Sequence, residues 1–538
     1  MPFGERVADV VLVLQMRERV VGDERDVDAR RPHRERPEVG DVTGQREPAS
    51  ARFGSRAVHR GRRNIGAEDA KALRGETERL RADAHRRIEH ARRSRAPVLA
   101  DERRERRALS SDARVPVLVD QVVPRRERVV ERARRRRALF PHEGRCYTGA
   151  MPPSLTLPRA DGTLTRYTLS GRTPIAGAPG PIRSRVGMAA VHVVANPLAA
   201  INPTLDVALD WDATLAFRRH IWSLGLAVAE AMDTSQRGMG FPWSSAKELI
   251  KRSVAEAKMN PGAVIASGAG TDDLQPGPRV TLADVEAAYE ESCGFIESVG
   301  GRIILMASRA LAACAKGADD YVKVYGRILG QVREPVIIHW LGDMFDPALA
   351  GYWGSHDLDR AAETLLAIVS DYVPKIDGVK ISLLDQKREL AMRRRFPASV
   401  RMYTGDDFDY PTTIGGDAHG YSDALLGIFD VIAPAASAAL HALDRGDRAE
   451  FERVLAPTLP LSRHVFGAPT RFYKTGVVFA AYLNGHQSHF RMVGGLESAR
   501  SIPHLAEQFV LMDAAGLLRD PEQAAERMRR VLAVAGVS

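Results

Sequence analysis

The sequence of 538 residues has few cysteines, few aromatic residues and no long hydrophobic run. Its three cysteines, Cys146, Cys293 and Cys314, lie far apart without metal-ligand spacing, which argues against a disulfide framework and fits a reducing compartment. No apolar run approaches the roughly 20 residues of a membrane span. Charged residues interrupt the short Val/Leu run at the start, so no secretory signal is expected. We therefore expect a cytoplasmic protein with no membrane partner.

Lysine is almost missing from residues 1–150, which hold 36 arginines and one lysine. With 25 acidic residues this segment has a net charge of +12, whereas residues 151–538 are slightly acidic. It lacks a sustained apolar period, and such a composition cannot bury enough surface to fold. A nucleic-acid-binding arm or a transit peptide is disfavoured by the acidic residues. We expect residues 1–150 to be disordered or untranslated, with translation starting at Met151, and we expect no nucleic-acid partner.

The stretch after Met151 predicts a β-hairpin and a linker. Two runs of alternating residues, 154–158 and 163–169, flank a tight Asp-Gly turn. Residues 171–187 contain three prolines and four glycines, a composition typical of linkers. We assign residues 151–187 to this hairpin and linker.

From residue 188 onward, short apolar runs alternate with segments of helical period. This alternation predicts an α/β fold of the (β/α)8 TIM barrel type, over residues 188–445. The expected strands are 191–195, 226–231, 263–267, 302–307, 336–340, 377–381, 400–404 and 418–421. The expected helices are 212–224, 244–258, 281–298, 318–331, 357–371, 384–395 and 422–443, with Thr281 and Ser422 as N-caps. Residues 446–538 predict a C-terminal extension of helices only, at 447–455, 469–483, 503–517 and 520–535.

The sixth strand carries a lysine in its interior. Because a strand alternates its faces, Gly378 and Lys380 share one side of it. Burial lowers the pKa of a lysine and leaves a nucleophilic amine, which can form a Schiff base with a carbonyl compound. The alternative is an edge-strand lysine with its ammonium group in water.

Polar residues cluster where the predicted strands end, which is where barrels of this type place their active sites. Adjacent hydroxyl and backbone N–H groups at Thr234 and Ser235 would suit a carboxylate. The candidate site residues are Thr234, Ser235 and Gln236 after the second strand, Ser308 and Arg309 after the fourth, His339 in the fifth, Lys380 in the sixth, and Gly405 and Asp406 after the seventh.

These segments together resemble the dihydrodipicolinate synthase / N-acetylneuraminate lyase family of class I aldolases. Residues 377–380, Asp-Gly-Val-Lys, resemble the family's Gly-Ile-Lys strand, which bears the Schiff-base lysine. Residues 404–407, Thr-Gly-Asp-Asp, resemble its Ser-Gly-Asp-Asp strand. Residues 264–270 are similar to its third strand and residues 334–338 to its Leu-Pro-Val-Ile-Leu strand. The resemblance covers about residues 190–440.

The resemblance implies a Schiff-base lyase or aldolase acting on a 2-oxo acid or a sugar-derived carbonyl compound. It implies no cofactor beyond the covalent lysine adduct, no metal, and a homodimer or homotetramer. Lys380 would be the nucleophile, and the Thr234–Ser235 pair would hold the substrate carboxylate. His339 takes the place of the family's strand-five tyrosine, a proton relay, and a histidine can move protons at neutral pH. The remaining candidates would complete the substrate-binding set.

Two other functions stay open. Five histidines with nearby aspartates could form the metal site of a class II aldolase or sugar isomerase, although no two of them fall at neighbouring strand ends. These histidines are His339, His356, His419, His486 and His489. The barrel could also bind a ligand or partner without catalysis, because a fold does not prove an activity.

Overall fold

The computed structural model describes residues 152–537 of the chain. The predictions for residues 1–150, and the start at Met151, fall outside this part. No helix in the described part is long and apolar enough to cross a membrane. Its main feature is a closed barrel of eight parallel strands surrounded by helices, which confirms the predicted (β/α)8 barrel.

A hairpin precedes the barrel, as predicted. Strands β1 (Ser154–Pro158) and β2 (Leu164–Thr168) pair antiparallel. Asp161 fixes the turn by accepting hydrogen bonds from the Thr163 amide at 2.9 Å and from its hydroxyl at 2.7 Å. Side chains such as Asp that bond to the backbone two residues on favour a turn at this point.

The eight barrel strands follow one another in chain order, and the last strand closes the barrel against the first. They are β3 (Gly187–Ala190), β4 (Ala227–Glu230), β5 (Ile265–Ala269), β6 (Arg302–Leu305), β7 (Val336–Leu341), β8 (Ile376–Ser382), β9 (Arg401–Thr404) and β10 (Asp423–Leu426). Mostly apolar side chains fill the interior, among them Met188, Ala229, Ile304, Ile337, Tyr403 and Leu425. The barrel interior is therefore a packed core, and its mouth remains as the place for chemistry.

Helices surround the barrel and continue beyond it. Around the barrel lie α1 (Trp211–Ser223), α2 (Trp243–Met259), α3 (Leu282–Ser298), α4 (Arg309–Cys314), α5 (Ala318–Gln331), α6 (Leu358–Asp371), α7 (Gln386–Arg393), α8 (Tyr410–Gly415), α9 (Ile428–Val431) and α10 (Ala433–Asp444). The predicted N-cap of α3 is present, since Thr281 and Asp284 form a capping box.

The extension after the barrel is helical, as predicted. It comprises α11 (Arg448–Leu455), α12 (Leu459–Val465), α13 (Tyr473–Leu483), α14 (Ile502–Ala514) and α15 (Pro521–Val534). Every residue of α13 is buried, because this helix packs against α9, α14, α15 and the 3-10 turn Asp233–Ser235. The extension therefore brings the start of α13 to the mouth of the barrel.

The first barrel strand lies before the residues predicted for it. The prediction of 191–195 is wrong, because β3 ends at Ala190. Its short, small-residue sequence Gly-Met-Ala-Ala has a weaker strand propensity than the valine-rich run that follows. In that run the Val191 amide still donates a hydrogen bond of 3.4 Å to Ala229 of β4, and Ala195 forms an isolated bridge with Leu209.

The last strand was predicted too early, at residues 418–421. Strand β10 is Asp423–Leu426, and Ser422 precedes this strand instead of capping a helix. The Ser422 hydroxyl donates a hydrogen bond of 2.8 Å to Glu389. This four-residue strand runs directly into α9 and α10. Its apolar residues therefore fit the helical period of those helices, and the predicted helix 422–443 included them. The other six strands agree with the predictions to within two residues at each end.

Candidate active site

Three neighbouring strands present His339, Lys380 and Tyr403 side by side. The strand register pairs His339 with Lys380 and Lys380 with Tyr403, and all three side chains are buried. Gly378, on the same face of β8 as Lys380, does not leave an empty space beside the lysine. A Cβ at Gly378 would lie 2.6 Å from the Tyr403 ring, so the glycine makes room for that ring.

Lys380 is 7% exposed and lies in a central strand of a closed barrel, so it is not an edge-strand lysine in water. Burial lowers the pKa of its amine, although the carboxylates of Asp233 and Asp407 oppose this shift. Burial also raises the pKa of Asp407 to about 7. Burial disfavours the charged form of both groups, so it shifts the pKa of the amine down and the pKa of the carboxyl group up.

Lys380 lines a small cavity at the barrel mouth, which we call the lysine cavity. Thr234 enters it from the turn after β4, and Tyr473 enters it from the first residue of α13. Their hydroxyl oxygens lie 2.8 Å apart. The other polar lining residues are Asp233, Ser382 and Asp407.

Tyr473 is held rigidly in the lysine cavity. Its ring stacks on Phe466 with a centroid distance of 4.4 Å and an interplanar angle of 17°. Burial, with the charges of Asp233 and Asp407, raises the pKa of Tyr473 well above its usual value. The hydroxyl is therefore protonated at neutral pH. No local sequence pattern indicates a role for this residue, which stands at the start of an apolar helix outside the barrel.

His339 lines a second and larger cavity, which we call the histidine cavity. The two cavities share Asp233 and Leu341 in their linings. The His339 Nε2 lies 3.1 Å from Ser382 Oγ, whereas Nδ1 has no partner in the described part of the chain. Burial and the charge of Lys380 lower the pKa of His339 well below its usual value, so the ring is neutral.

Of the predicted hydroxyl pair, Thr234 and Ser235, only Thr234 lines a cavity. Thr234 lines the lysine cavity, but the Ser235 hydroxyl donates a hydrogen bond of 2.8 Å to the Met232 carbonyl. Gln236 has a left-handed backbone with φ of 68°, and its side-chain amide donates to the Val493 carbonyl at 2.7 Å. Neither Ser235 nor Gln236 lines either cavity, so both serve to hold the turn in place.

The two residues predicted after the fourth strand have different environments. Ser308 caps α4, since its hydroxyl accepts a hydrogen bond from the Leu311 amide at 3.0 Å and lies 2.6 Å from the Thr271 hydroxyl. Arg309 forms an ion pair with Asp346 and lines the histidine cavity. Only Arg309 is therefore placed to meet a ligand.

After the seventh strand, the carboxylate that lines the lysine cavity belongs to the residue next to the predicted Asp406. Gly405 allows β9 to approach β8, because a Cβ there would collide with Ser382. The Asp406 carboxylate accepts a hydrogen bond from the Phe408 amide at 2.8 Å and does not line the lysine cavity. Its neighbour Asp407 does line that cavity. The motif was visible in the sequence, but choosing between two adjacent aspartates required the backbone direction after the strand.

A second buried lysine, Lys474, follows Tyr473 in α13. Burial lowers its pKa to about 8, while Asp233 and Asp346 oppose the shift. Its amine donates a hydrogen bond of 3.1 Å to the Arg471 carbonyl. Lys474 does not line the lysine cavity, so the two buried lysines have different access to a ligand.

The histidines considered for a metal site do not assemble. Within residues 152–537, no three His, Cys, Asp or Glu side chains are grouped so that they could hold a metal ion. His339 lines the histidine cavity, whereas His486 packs on His220 at 4.5 Å in a separate cavity.

A sequence model of the family described as "Protein of unknown function (DUF993)" matches residues 155–537. No curated protein matches the sequence. Among solved structures, the fold is similar to YagE from E. coli K12, a prophage protein of the dihydrodipicolinic acid synthase family in complex with pyruvate. The identity is 12% and the TM-score 0.49, over 62% of this chain and 99% of that one.

Two dihydrodipicolinate synthases are similar as well. The enzyme from Aquifex aeolicus has 13% identity and a TM-score of 0.45, over 66% of this chain and 98% of that one. The enzyme from Bacillus anthracis has 13% identity and a TM-score of 0.46, over 62% and 98%. The assignment of the fold rests on the closed barrel of eight parallel strands itself.

Proposed function

The chain belongs to the DUF993 family, and we propose that this member is a Schiff-base lyase or aldolase acting on a 2-oxo acid or a sugar-derived carbonyl compound. One observation carries the proposal. A buried lysine with a lowered pKa opens into a cavity that also contains a protonated tyrosine, a threonine hydroxyl and a carboxyl group of pKa about 7. Perturbed groups that converge on one cavity are typical of active sites.

In the proposed reaction, the free amine of Lys380 attacks the carbonyl carbon and forms a C–N bond. The carbonyl oxygen must then leave as water, with both protons of that water supplied in the site. Tyr473 is placed to donate a proton to the leaving oxygen, because its hydroxyl is protonated and faces the cavity. Thr234, 2.8 Å from it, orients that hydroxyl and can pass a proton to it.

Asp407 is placed to take the proton that the amine loses. Its pKa of about 7 allows both protonation states at neutral pH, which suits a general acid–base group. The protonated imine then withdraws electrons from a neighbouring C–H or C–C bond, so that this bond can break. His339 is neutral and pairs with Lys380 in the strand register. We propose that it carries the proton that the breaking of this bond releases or takes up.

Pyruvate tests this proposal without knowledge of the natural substrate. If Lys380 forms an imine with pyruvate, the methyl hydrogens of pyruvate should exchange with D2O, and proton NMR should show the methyl signal disappear. Lys380→Met should abolish this exchange. Exchange at the wild-type rate in Lys380→Met would contradict the proposal. The homodimer or homotetramer and the cytoplasmic location implied by the resemblance stay predictions.

A further inference from the structure

We propose that a groove at the end of the barrel where the strands begin binds a phosphate group, carried by a small organic molecule or free in solution. The groove is lined by residues from three segments, 182–186, 393–402 and 419–423, and we call it the arginine groove. These segments lead into β3, β9 and β10. Because the strands are parallel, the groove lies at the opposite end of the barrel from the mouth that holds Lys380. The proposal therefore does not depend on the Schiff-base function.

The arginine groove has an excess of positive charge, although residues 151–538 as a whole are slightly acidic. Of the described residues that line it, five are arginines and only Asp423 is acidic. The arginines are Arg183, Arg185, Arg393, Arg394 and Arg401. Two further carboxylates, Asp417 and Asp377, pair with these arginines from outside the lining. Even when both are counted, five positive charges face three negative ones, which leaves an excess of two.

Arg185 is fixed in the groove and forms no ion pair with a carboxylate among the described residues. Its Nε donates a hydrogen bond to the Ile414 carbonyl at 2.9 Å, and its Nη1 donates to the Ser184 carbonyl at 2.7 Å. Its guanidinium carbon lies 3.5 Å from the centroid of the Tyr421 ring. Burial lowers the pKa of Arg185, whereas the charge of Asp423 opposes this shift. An anion bound at the remaining nitrogen, Nη2, would stabilise the charge that burial disfavours.

Arg393 supplies a buried donor in the same groove. Its side chain is 7% exposed, and its Nε has no hydrogen-bond partner in the described part of the chain. Its Nη1 donates to the Thr413 carbonyl at 3.3 Å, and its Nη2 lies 3.0 Å from the Asp417 carboxylate. The same carboxylate pairs with Arg394 at 3.1 Å, so two guanidinium groups share one negative charge. Because buried polar groups nearly always have partners, the unpaired Nε is a second indication that a ligand is missing here.

A phosphate group fits the arginine groove in charge and in hydrogen bonding. A phosphate monoester carries a charge of about −1.5 to −2 near neutral pH, which matches the excess of two positive charges. Its three terminal oxygens only accept hydrogen bonds, and guanidinium groups, which only donate, bind such oxygens in pairs. A single carboxylate would neutralise half of the excess charge. A neutral ligand would leave Arg185 without a counter-charge, and a cation would be repelled.

The ring of Tyr421 distinguishes the two sources of the phosphate group. Arg185 covers one face of the ring, and 48% of Tyr421 is exposed. An organic phosphate with an aromatic group can pack on the exposed part of this ring, whereas free phosphate cannot. Phenyl phosphate should therefore bind more tightly than inorganic phosphate if the groove takes an organic phosphate. Equal affinities would identify free phosphate as the ligand, and both results agree with the proposed phosphate site.

The test is isothermal titration calorimetry of the full chain with phenyl phosphate and with inorganic phosphate. Arg185→Gln should weaken the binding of both by at least about 10-fold, because a hydrogen bond to a charged group is lost. Residues 1–150 contain 36 arginines, which can also bind phosphate, but every variant keeps them, so the difference reports on the groove. Arg530→Gln is the matched control, because this arginine of α15 is 65% exposed and lies outside the groove. It should bind both ligands as the wild type does.

Arg183→Gln provides the second variant and decides the matter if Arg185→Gln does not fold. The Arg183 side chain is exposed and makes no hydrogen bond to the described residues, so its loss should not disturb folding. This variant should weaken both ligands by about 2–5-fold, as expected for an exposed ion pair. Lys380→Met should bind both as the wild type does, because Lys380 lies at the other end of the barrel. No binding to the wild type, unchanged affinity in both groove variants, or loss of binding in Lys380→Met would overturn the inference.

Discussion

Tyr473→Phe removes one hydroxyl group from the lysine cavity and leaves the aromatic ring in place. The ring stacking on Phe466 at 4.4 Å does not need the hydroxyl, so the packing of α13 should be retained. The hydrogen bond to Thr234 is lost, which should lower the free energy of unfolding by about 0.5–1.5 kcal/mol. The variant should therefore be folded, with a melting temperature close to that of the wild type.

The effect on activity should be much larger. If Tyr473 donates the proton to the leaving oxygen, the rate of pyruvate methyl exchange should fall by about 10²–10⁴-fold, the usual contribution of a general acid. The loss should appear mainly in kcat, because the hydroxyl acts on a reacting oxygen more than on substrate binding. NMR exchange rates at several pyruvate concentrations would separate kcat from KM.

Two further variants make this experiment specific. Tyr482→Phe, near the other end of α13, is the matched control and should exchange at the wild-type rate. If Tyr473 and Thr234 act as one unit, Tyr473→Phe combined with Thr234→Val should be no slower than the slower single variant. Wild-type exchange in Tyr473→Phe would show that the hydroxyl takes no part in the chemistry.

Three more predictions follow from the same region. Asp407 raises the pKa of Lys380, so Asp407→Asn should move the acid limb of the exchange–pH profile to lower pH; an unmoved limb would mean that the two groups do not interact. Burial raises the pKa of Glu389 from 4.5 to about 7, so the folded state holds a proton that the unfolded state releases, and stability should fall by about 3 kcal/mol as pH rises from about 4.5 to 7. Glu389→Gln should match the wild type near pH 5 and exceed it at pH 8 in urea unfolding, whereas an equal difference at both pH values would refute the assignment. Gly405→Ala should lower the free energy of unfolding by about 1–3 kcal/mol, because its Cβ would collide with Ser382, and an unchanged urea midpoint would show that β8 and β9 can separate at no cost.

The parts of the fold that the sequence predicted well are those with strong local patterns. Strand β8 has seven residues, so the sequence predicted its position and the common face of Gly378 and Lys380, while the closed barrel settles that Lys380 is buried. Strands β3 and β10 have only four residues each. The valine-rich run after β3 and the helical period after β10 were stronger patterns than the strands themselves. A short strand in a closed barrel is held by its two neighbours more than by its own propensity.

The site was predictable only where the barrel strands supply it. Lys380 and His339 lie within barrel strands and Thr234 lies in the turn after β4, and the barrel geometry brings such residues together. Tyr473 comes from a helix beyond the barrel, and its contact with Thr234 spans 239 residues of sequence. The backbone partner of the Ser235 hydroxyl likewise depends on the shape of one turn, which residue types do not determine.

The most direct test of the account is chemical trapping of the lysine. Wild-type protein incubated with pyruvate and then reduced with borohydride should gain the mass of one reduced pyruvate, and peptide mapping should place it on Lys380. Lys474 is the internal control, because it is also buried with a lowered pKa but does not line the lysine cavity. The account predicts an adduct on Lys380 that is abolished in Lys380→Met and unaffected in Lys474→Met. An adduct on Lys474, or no adduct on Lys380 with pyruvate in large excess, would contradict it.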